Sequence, residues 1–161
     1  MAAPILAEHF TNALLALLDE TFDDVHGYYL DRGTALFETL AAVSAETASR
    51  PVGGRCATLA AQVKHTAFYL DVLEHSARTG ASAPVDWGAI WRTTAAVTPA
   101  EWEHLQAGLR ASYDRLQALI RETPVWPDTQ TIAEALAAVT HTAYHLGEIR
   151  QALCTLQSKE S

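Results

Sequence analysis

The sequence predicts an all-α protein built as a four-helix bundle, and three observations indicate this class. Glycine and proline number only 8 and 6 among 161 residues, and alanine, the strongest helix former, is abundant. Apolar side chains recur at helical spacing in four long segments. No stretch alternates apolar and polar residues as a half-buried strand would. Four helices of this length, joined by connections of moderate size, are typical of a four-helix bundle.

The first helix is expected to begin near Pro4, because proline suits the first helical turn. Its pattern fades at "DDVHGYY". The next stretch, "TALFETLAAVSAETA", predicts one or two short helices before the break at "RPVGG". These must pack along the bundle, since a bare loop of about 25 residues is uncommon. The apolar positions of the first helix are Leu6, Phe10, Leu14, Leu17 and Leu18.

The second long helix is expected from about Arg55 to Arg78, with the chain leaving the helix at Gly80. It carries two apolar stripes, and a helix that is apolar on two faces is buried on two sides. One side would be the bundle core. The other is covered either by loops or by a second subunit, and the latter predicts a homodimer. The stripes comprise Leu59, Val63, Thr66, Leu70 and Leu73 on one face, and Ala61, Phe68 and Val72 on the other.

The third long helix has the clearest start in the sequence. In "TPAE", Thr98 and Glu101 form a capping box, and Pro99 occupies the first helical position. The segment before it, "GASAPVDWGAIW", is expected to be a loop. The third helix runs to about Glu122, "TPVWPD" breaks the chain, and the fourth helix is expected over Thr129–Gln157.

Length, charge and composition restrict the class of protein. The length fits a single domain over residues 1–161. A net charge of −8 and the lack of a Lys/Arg cluster argue against nucleic-acid binding. No apolar run reaches the ~18 residues that would span a bilayer, and "MAAPILAEHF" lacks a secretory signal, so no membrane partner and a cytoplasmic location are expected. Cys56 and Cys154 form no CxxC motif and are expected to be small buried apolar side chains.

Two histidines stand one helical turn apart in "HTAYHLGEIRQAL". Side chains four residues apart lie about 6 Å from each other, so His141 and His145 can reach one point. His65, in the middle of the second long helix beside Phe68 and Tyr69, is the best candidate for a third imidazole. Together they predict a site for one divalent metal ion, zinc or nickel rather than magnesium or calcium, which prefer oxygen. The alternative is that all three are ordinary, partly exposed helix residues.

Other metal motifs fit less well. "HTAYH" lacks the glutamate of the H-E-x-x-H metalloprotease motif. A di-iron bundle needs two E-x-x-H pairs; here only Glu101 and His104 match, and the capping box already explains Glu101. The remaining histidines lie near helix ends or among charged neighbours and are weaker candidates: His9, His26, His75 and His104.

Several segments together resemble the DinB-like (damage-inducible) family. "VTHTAYHLGEIRQAL" is similar to the family's last-helix signature, and "TLAAQVKHTAFYL" to the segment that supplies its first histidine. "VDWGAIW" followed by "TPAEWEHLQAGLRASYDRL" resembles the family's third-helix region. The resemblance implies a four-helix bundle, a homodimer and a three-histidine divalent metal site at His65, His141 and His145. Glu148 stands where the family often has glutamine.

The resemblance also implies a class of activity. It indicates a metal-dependent enzyme with a small-molecule substrate: a transferase using a low-molecular-weight thiol, such as bacillithiol or mycothiol, or a hydrolase. The alternative is a non-catalytic metal-binding or interaction bundle that keeps the scaffold. Three imidazoles leave positions on a metal open for water or substrate. Ligating histidines normally donate their second N–H to an acceptor, and Glu148, Thr142 and Tyr69 are available by spacing.

Overall fold

The protein is helical throughout the part that the structure describes. The computed structural model describes residues 5–53, 56–80, 84–94 and 96–157, and these contain seven helices and no strand. The predicted all-α class is therefore confirmed. No helix within those ranges has the length and apolar character needed to cross a bilayer. The helices are α1 (Ala7–Phe22), α2 (Leu36–Ala41), α3 (Ala45–Ser49), α4 (Leu59–Thr79), α5 (Gly88–Thr93), α6 (Pro99–Glu122) and α7 (Thr129–Gln157).

The starts of the first two long helices lie further along the chain than the apolar pattern predicted. Helix α1 begins at Ala7, and Pro4 lies outside the described residues. Helix α4 begins at Leu59 because the hydroxyl of Thr58 accepts a hydrogen bond from the amide of Ala61, 3.2 Å away. The expected start at Arg55 also falls outside the described residues.

The other long-helix boundaries agree with the sequence. Helix α4 ends where Gly80 adopts a left-handed φ of 66°, a conformation that glycine reaches without steric cost. At the start of α6, the Thr98 hydroxyl accepts from the Glu101 amide at 3.3 Å. The Glu101 carboxylate in turn accepts from the Thr98 amide at 2.7 Å. The predicted capping box is confirmed.

The prediction of a bare loop before α6 was wrong, because Gly88–Thr93 forms helix α5. Its start is set by Asp86, whose carboxylate accepts from the Gly88 amide at 3.0 Å and pairs with Arg92 at 2.5 Å. Ile90 is buried and anchors the helix. An element of six residues is too short to show a helical period in the sequence.

The four long helices contact one another in pairs. Helix α4 packs against α6 and α7, and α1 packs against the same two helices. The apolar faces meet in one core, in which Phe22 stacks on Tyr113 with ring centroids 4.2 Å apart. The short helices join this core through α3, which contacts both α4 and α6, and through Trp102, whose indole N–H donates to the Val43 carbonyl at 2.7 Å.

The second apolar face of α4 is partly covered by the chain itself. Ala61 is buried, and the ring of Trp87, just before α5, lies 5.7 Å from Phe68 and 5.8 Å from Tyr69. The sequence predicted that this face is covered either by loops or by a second subunit, and the segment before α5 provides the first kind of cover. Phe68 and Val72 remain half-buried, and the homodimer stays a prediction.

Both cysteines are exposed, so the prediction of buried thiols was wrong. Cys56 lies in the connection before α4, because the Thr58 cap delays the start of that helix. Cys154 lies on the solvent side of α7, next to the half-buried Leu153. An apolar pattern indicates that such residues belong to a helix, but it does not show whether a side chain lies at the buried centre of the apolar stripe or at its exposed edge.

A buried carboxylate organises the turn after α1, which the sequence did not reveal. Glu20 is fully buried, and its oxygens accept hydrogen bonds from four backbone amides: His26 at 3.1 Å, Tyr28 at 2.8 Å, Tyr29 at 2.6 Å and Leu30 at 2.7 Å. Burial alone raises the pKa of this carboxyl, but the four amides outweigh it and lower the pKa to about 2.

Candidate metal centre

The three predicted histidines come together between α4 and α7. His65 projects from α4, and His141 and His145 project from neighbouring turns of α7. His65 and His145 are buried, and His141 is half-buried. The Nε2 atoms of His65 and His141 lie 3.1 Å apart, and one nitrogen from each of the three rings lies within 4.8 Å of the other two. The three residues are thus close enough to hold a metal ion.

The spacing of these nitrogens fits a metal ion. With tetrahedral geometry and Zn–N bonds of about 2.0–2.1 Å, two imidazole nitrogens on one ion lie about 3.3–3.4 Å apart. The Nε2 atoms of His65 and His141 lie 3.1 Å apart, close to this separation. A neutral imidazole carries its hydrogen on one nitrogen and a lone pair on the other, so two facing nitrogens at this distance cannot both carry hydrogen.

All three imidazoles are held in the neutral form. The pKa of His65 is lowered to about 4, mainly by burial and then by the neighbouring His145, whereas Glu148 opposes the shift. The pKa of His141 is also lowered to about 4, mainly by burial and then by His145 and His65. Burial lowers the pKa of His145, again against Glu148. At neutral pH the cluster therefore presents unprotonated rings, the form that binds metal.

Glu148 orients one ring of the cluster. Its Oε2 atom accepts a hydrogen bond from Nδ1 of His145 at 2.9 Å and another from the side-chain amide of Gln62 at 3.1 Å. Because the carboxylate accepts at Nδ1, the hydrogen of His145 lies there and Nε2 keeps its lone pair for a metal. Gln62 comes from α4, so the same carboxylate also joins the two helices.

The other two acceptors considered from the sequence do not hydrogen-bond to the histidines. The ring of Tyr69 stacks on His141 instead, with centroids 3.7 Å apart and planes 22° from parallel. The hydroxyl of Thr142 is buried without a hydrogen-bond partner among the described residues, as is Nδ1 of His65. His65 and His141 contact each other through their Nε2 atoms at 3.1 Å and are otherwise held by packing.

A tryptophan that the sequence analysis did not single out packs on the histidines. The ring of Trp91, in α5, lies 4.4 Å from that of His65 and 6.2 Å from that of His145. Trp91 contacts the histidine rings on one side and is itself 38% exposed to solvent on the other. It therefore lies between these rings and the solvent. In the sequence, the signal for Trp91 was its place in "WGAIW", a segment that was expected to be a loop.

The remaining histidines stay outside the cluster. His26 pairs with Asp19 at 2.5 Å, near the end of α1. His104 is exposed on α6 and does not join a metal-binding group with Glu101, which caps that helix. His9 and His75 are exposed as well.

Comparisons with protein-family models, with curated proteins and with solved structures found no match to this chain. The resemblance to the DinB-like proteins therefore stays a prediction from the segments quoted above.

Proposed function

We propose that this chain is a metal-dependent enzyme in which His65, His141 and His145 bind one divalent ion, zinc or nickel. The observation that carries the proposal is the approach of three neutral imidazoles from two helices, with facing nitrogens 3.1 Å apart. When bound, such an ion lowers the pKa of a coordinated water or thiol, which supplies a nucleophile near neutral pH.

The side chains around the histidines have separate roles in this proposal. Glu148 and Gln62 orient His145, and Trp91 limits the access of water to His65. A cavity of about 250 Å³ opens beside His145 and is bordered by Trp91, Tyr144 and Glu148. It gives a small molecule a route to the histidines. The reaction class we propose is thiol transfer with a low-molecular-weight thiol, or hydrolysis.

A non-catalytic metal-binding bundle is the alternative, and one observation favours it. His65 and His145 are only 6% and 5% exposed and come from different helices. An ion held by them would clamp α4 to α7, so its binding would stabilise the folded state. The two functions differ in turnover, because only the enzyme converts a substrate when the metal is present.

The architecture and assembly are part of the same proposal. We infer a four-helix bundle of α1, α4, α6 and α7, supported by the contacts of α6 and α7 with both α1 and α4. The homodimer is supported by the half-buried Phe68 and Val72 on α4. Sedimentation that finds only a monomer at micromolar concentration contradicts the dimer. The cytoplasmic location remains an expectation from the sequence.

Elemental analysis of the purified chain, followed by an activity screen, tests the function. We expect one equivalent of zinc or nickel, and turnover in a thiol-transfer or hydrolysis assay that disappears on chelation and returns when the ion is restored. Metal binding without turnover in any such assay supports the non-catalytic alternative. A chain that takes up no metal contradicts both.

A further inference from the structure

A groove leads away from the histidines along α7. It consists of two adjoining cavities of about 250 and 470 Å³, which share Ala57, Gln62, Tyr144 and Glu148 as walls. The smaller cavity reaches His145, and the larger continues to Thr155. At about 1.5 Å per helical residue, the stretch of α7 from His145 to Thr155 is roughly 15 Å long.

The chemistry of the walls restricts what fits there. Among the described residues that line the two cavities there is no Lys or Arg, so none of them offers a cationic partner for a phosphate or a carboxylate. Glu148, the acidic side chain among these described residues, already accepts from His145 and Gln62. The far part of the groove is bordered by small or neutral side chains such as Val52, Ala152 and Thr155.

We propose that this groove binds the tail of an elongated, uncharged organic molecule whose polar head lies at the histidines. The larger cavity lies within the roughly 300–1,000 Å³ typical of small-molecule sites. The placement of the head rests on the proposed function, whereas the binding of the tail does not. Tail binding is therefore tested on metal-free protein.

The two exposed cysteines provide a matched pair of reporters. Cys56 lines the larger cavity, whereas Cys154 is exposed on α7 but is not part of its wall. The probe is octanamide, with acetamide as the short-chain control, and the readout is the rate of alkylation of each thiol by mass spectrometry.

Octanamide is expected to protect Cys56 alone. At about ten times its dissociation constant, it should slow alkylation of Cys56 about tenfold, since the free fraction is 1/(1 + [L]/Kd). Cys154 should react at an unchanged rate, and acetamide at the same concentration should protect neither thiol. Equal reactivity of Cys56 with and without octanamide, or equal slowing of both thiols, overturns the proposal.

Two glycines allow the groove to be blocked with a control. A Cβ at Gly147, in the wall of the larger cavity, meets no atom within 4 Å, and the same holds for Gly108 on α6. Leucine also has a higher helix propensity than glycine. Gly147→Leu should abolish protection of Cys56 by octanamide, whereas Gly108→Leu should keep it. Equal protection in the two variants overturns the proposal.

Two further comparisons identify the occupant and the role of the metal. If Cys56 becomes protected on raising the protein concentration without any probe, the groove is an interface between copies of the chain, and the proposal fails. With zinc added, octanohydroxamate should protect Cys56 more strongly than octanamide. Equal protection by the two probes contradicts the metal site and leaves tail binding supported, so the two failures are distinguishable.

Discussion

The carboxylate of Glu148 accepts a hydrogen bond from Nδ1 of His145 at 2.9 Å, from a position one helical turn further along α7. The amide of Gln62 donates to the same oxygen from α4. This contact fixes both the orientation of the His145 ring and the nitrogen that keeps its lone pair. A glutamine side chain at this position would also have an oxygen able to accept the hydrogen bond from His145.

Replacing Glu148 therefore separates its hydrogen bond from its charge. Glu148→Ala removes both and should weaken zinc binding by about 10–100-fold, the usual effect of losing a group that supports a ligand. Glu148→Gln keeps an acceptor and should weaken binding less. Isothermal titration of the two variants measures this, with Glu103→Gln on the exposed surface of α6 as control. Equal affinities for wild type and Glu148→Ala would show that the contact does not support the site.

The metal-free protein should lose stability in mild acid. His65 and His141 have pKa values near 4 in the folded chain and about 6.5 when unfolded, so between these values the unfolded chain binds more protons. The free energy of unfolding should therefore fall as the pH drops from 6.5 towards 4. Urea unfolding across this range tests it. His65→Asn should flatten the dependence, whereas His104→Asn should leave it unchanged.

Trp91 should control the titration of His65. Burial is the main cause of the low pKa of His65, and the Trp91 ring supplies part of that burial. In the metal-free protein, Trp91→Ala should move the His65 pKa up towards its ordinary value, as measured by NMR titration. The control is Trp126→Phe, because Trp126 packs on Phe10, away from the histidines. A His65 pKa unchanged by Trp91→Ala counts against this role.

Glu20 should be necessary for the order of the turn after α1. Glu20→Gln replaces an acceptor of four amide hydrogen bonds with a group that has one oxygen, and should lower the free energy of unfolding by about 2 kcal/mol or more. Glu8→Gln, on the exposed side of α1, should have little effect. Because the folded pKa is lowered to about 2 from 4.5, the wild-type advantage should be lost as the pH falls through that window. A Glu20→Gln variant with the same free energy of unfolding as wild type contradicts this role.

The sequence predicted the features that depend on local pattern. The cap at Thr98, the stop at Gly80 and the bounds of α7 follow from side chains near the helix ends. The approach of His65 to His141 was also predicted. Each of the two helices has a histidine at mid-length, where a bundle core would normally have an aliphatic side chain.

Features that depend on long-range packing could not be predicted in this way. Trp91 reaches His65 only through the placement of α5, which is too short for a period to appear. The Glu20 carboxylate accepts from backbone amides that are brought to it by the turn several residues further along the chain. Exposure of Cys56 depends on a helix start set by a single hydroxyl.

A zinc titration of wild type beside two single variants tests the metal site most directly. His141→Ala removes a ring whose Nε2 lies 3.1 Å from that of His65, whereas His104→Ala removes an exposed ring outside the cluster. We predict one equivalent bound by wild type and by His104→Ala, and an affinity more than about 100-fold lower for His141→Ala, a loss beyond that of a supporting group. If both variants keep a full equivalent at wild-type affinity, or wild type binds no metal, His65, His141 and His145 do not form a metal site.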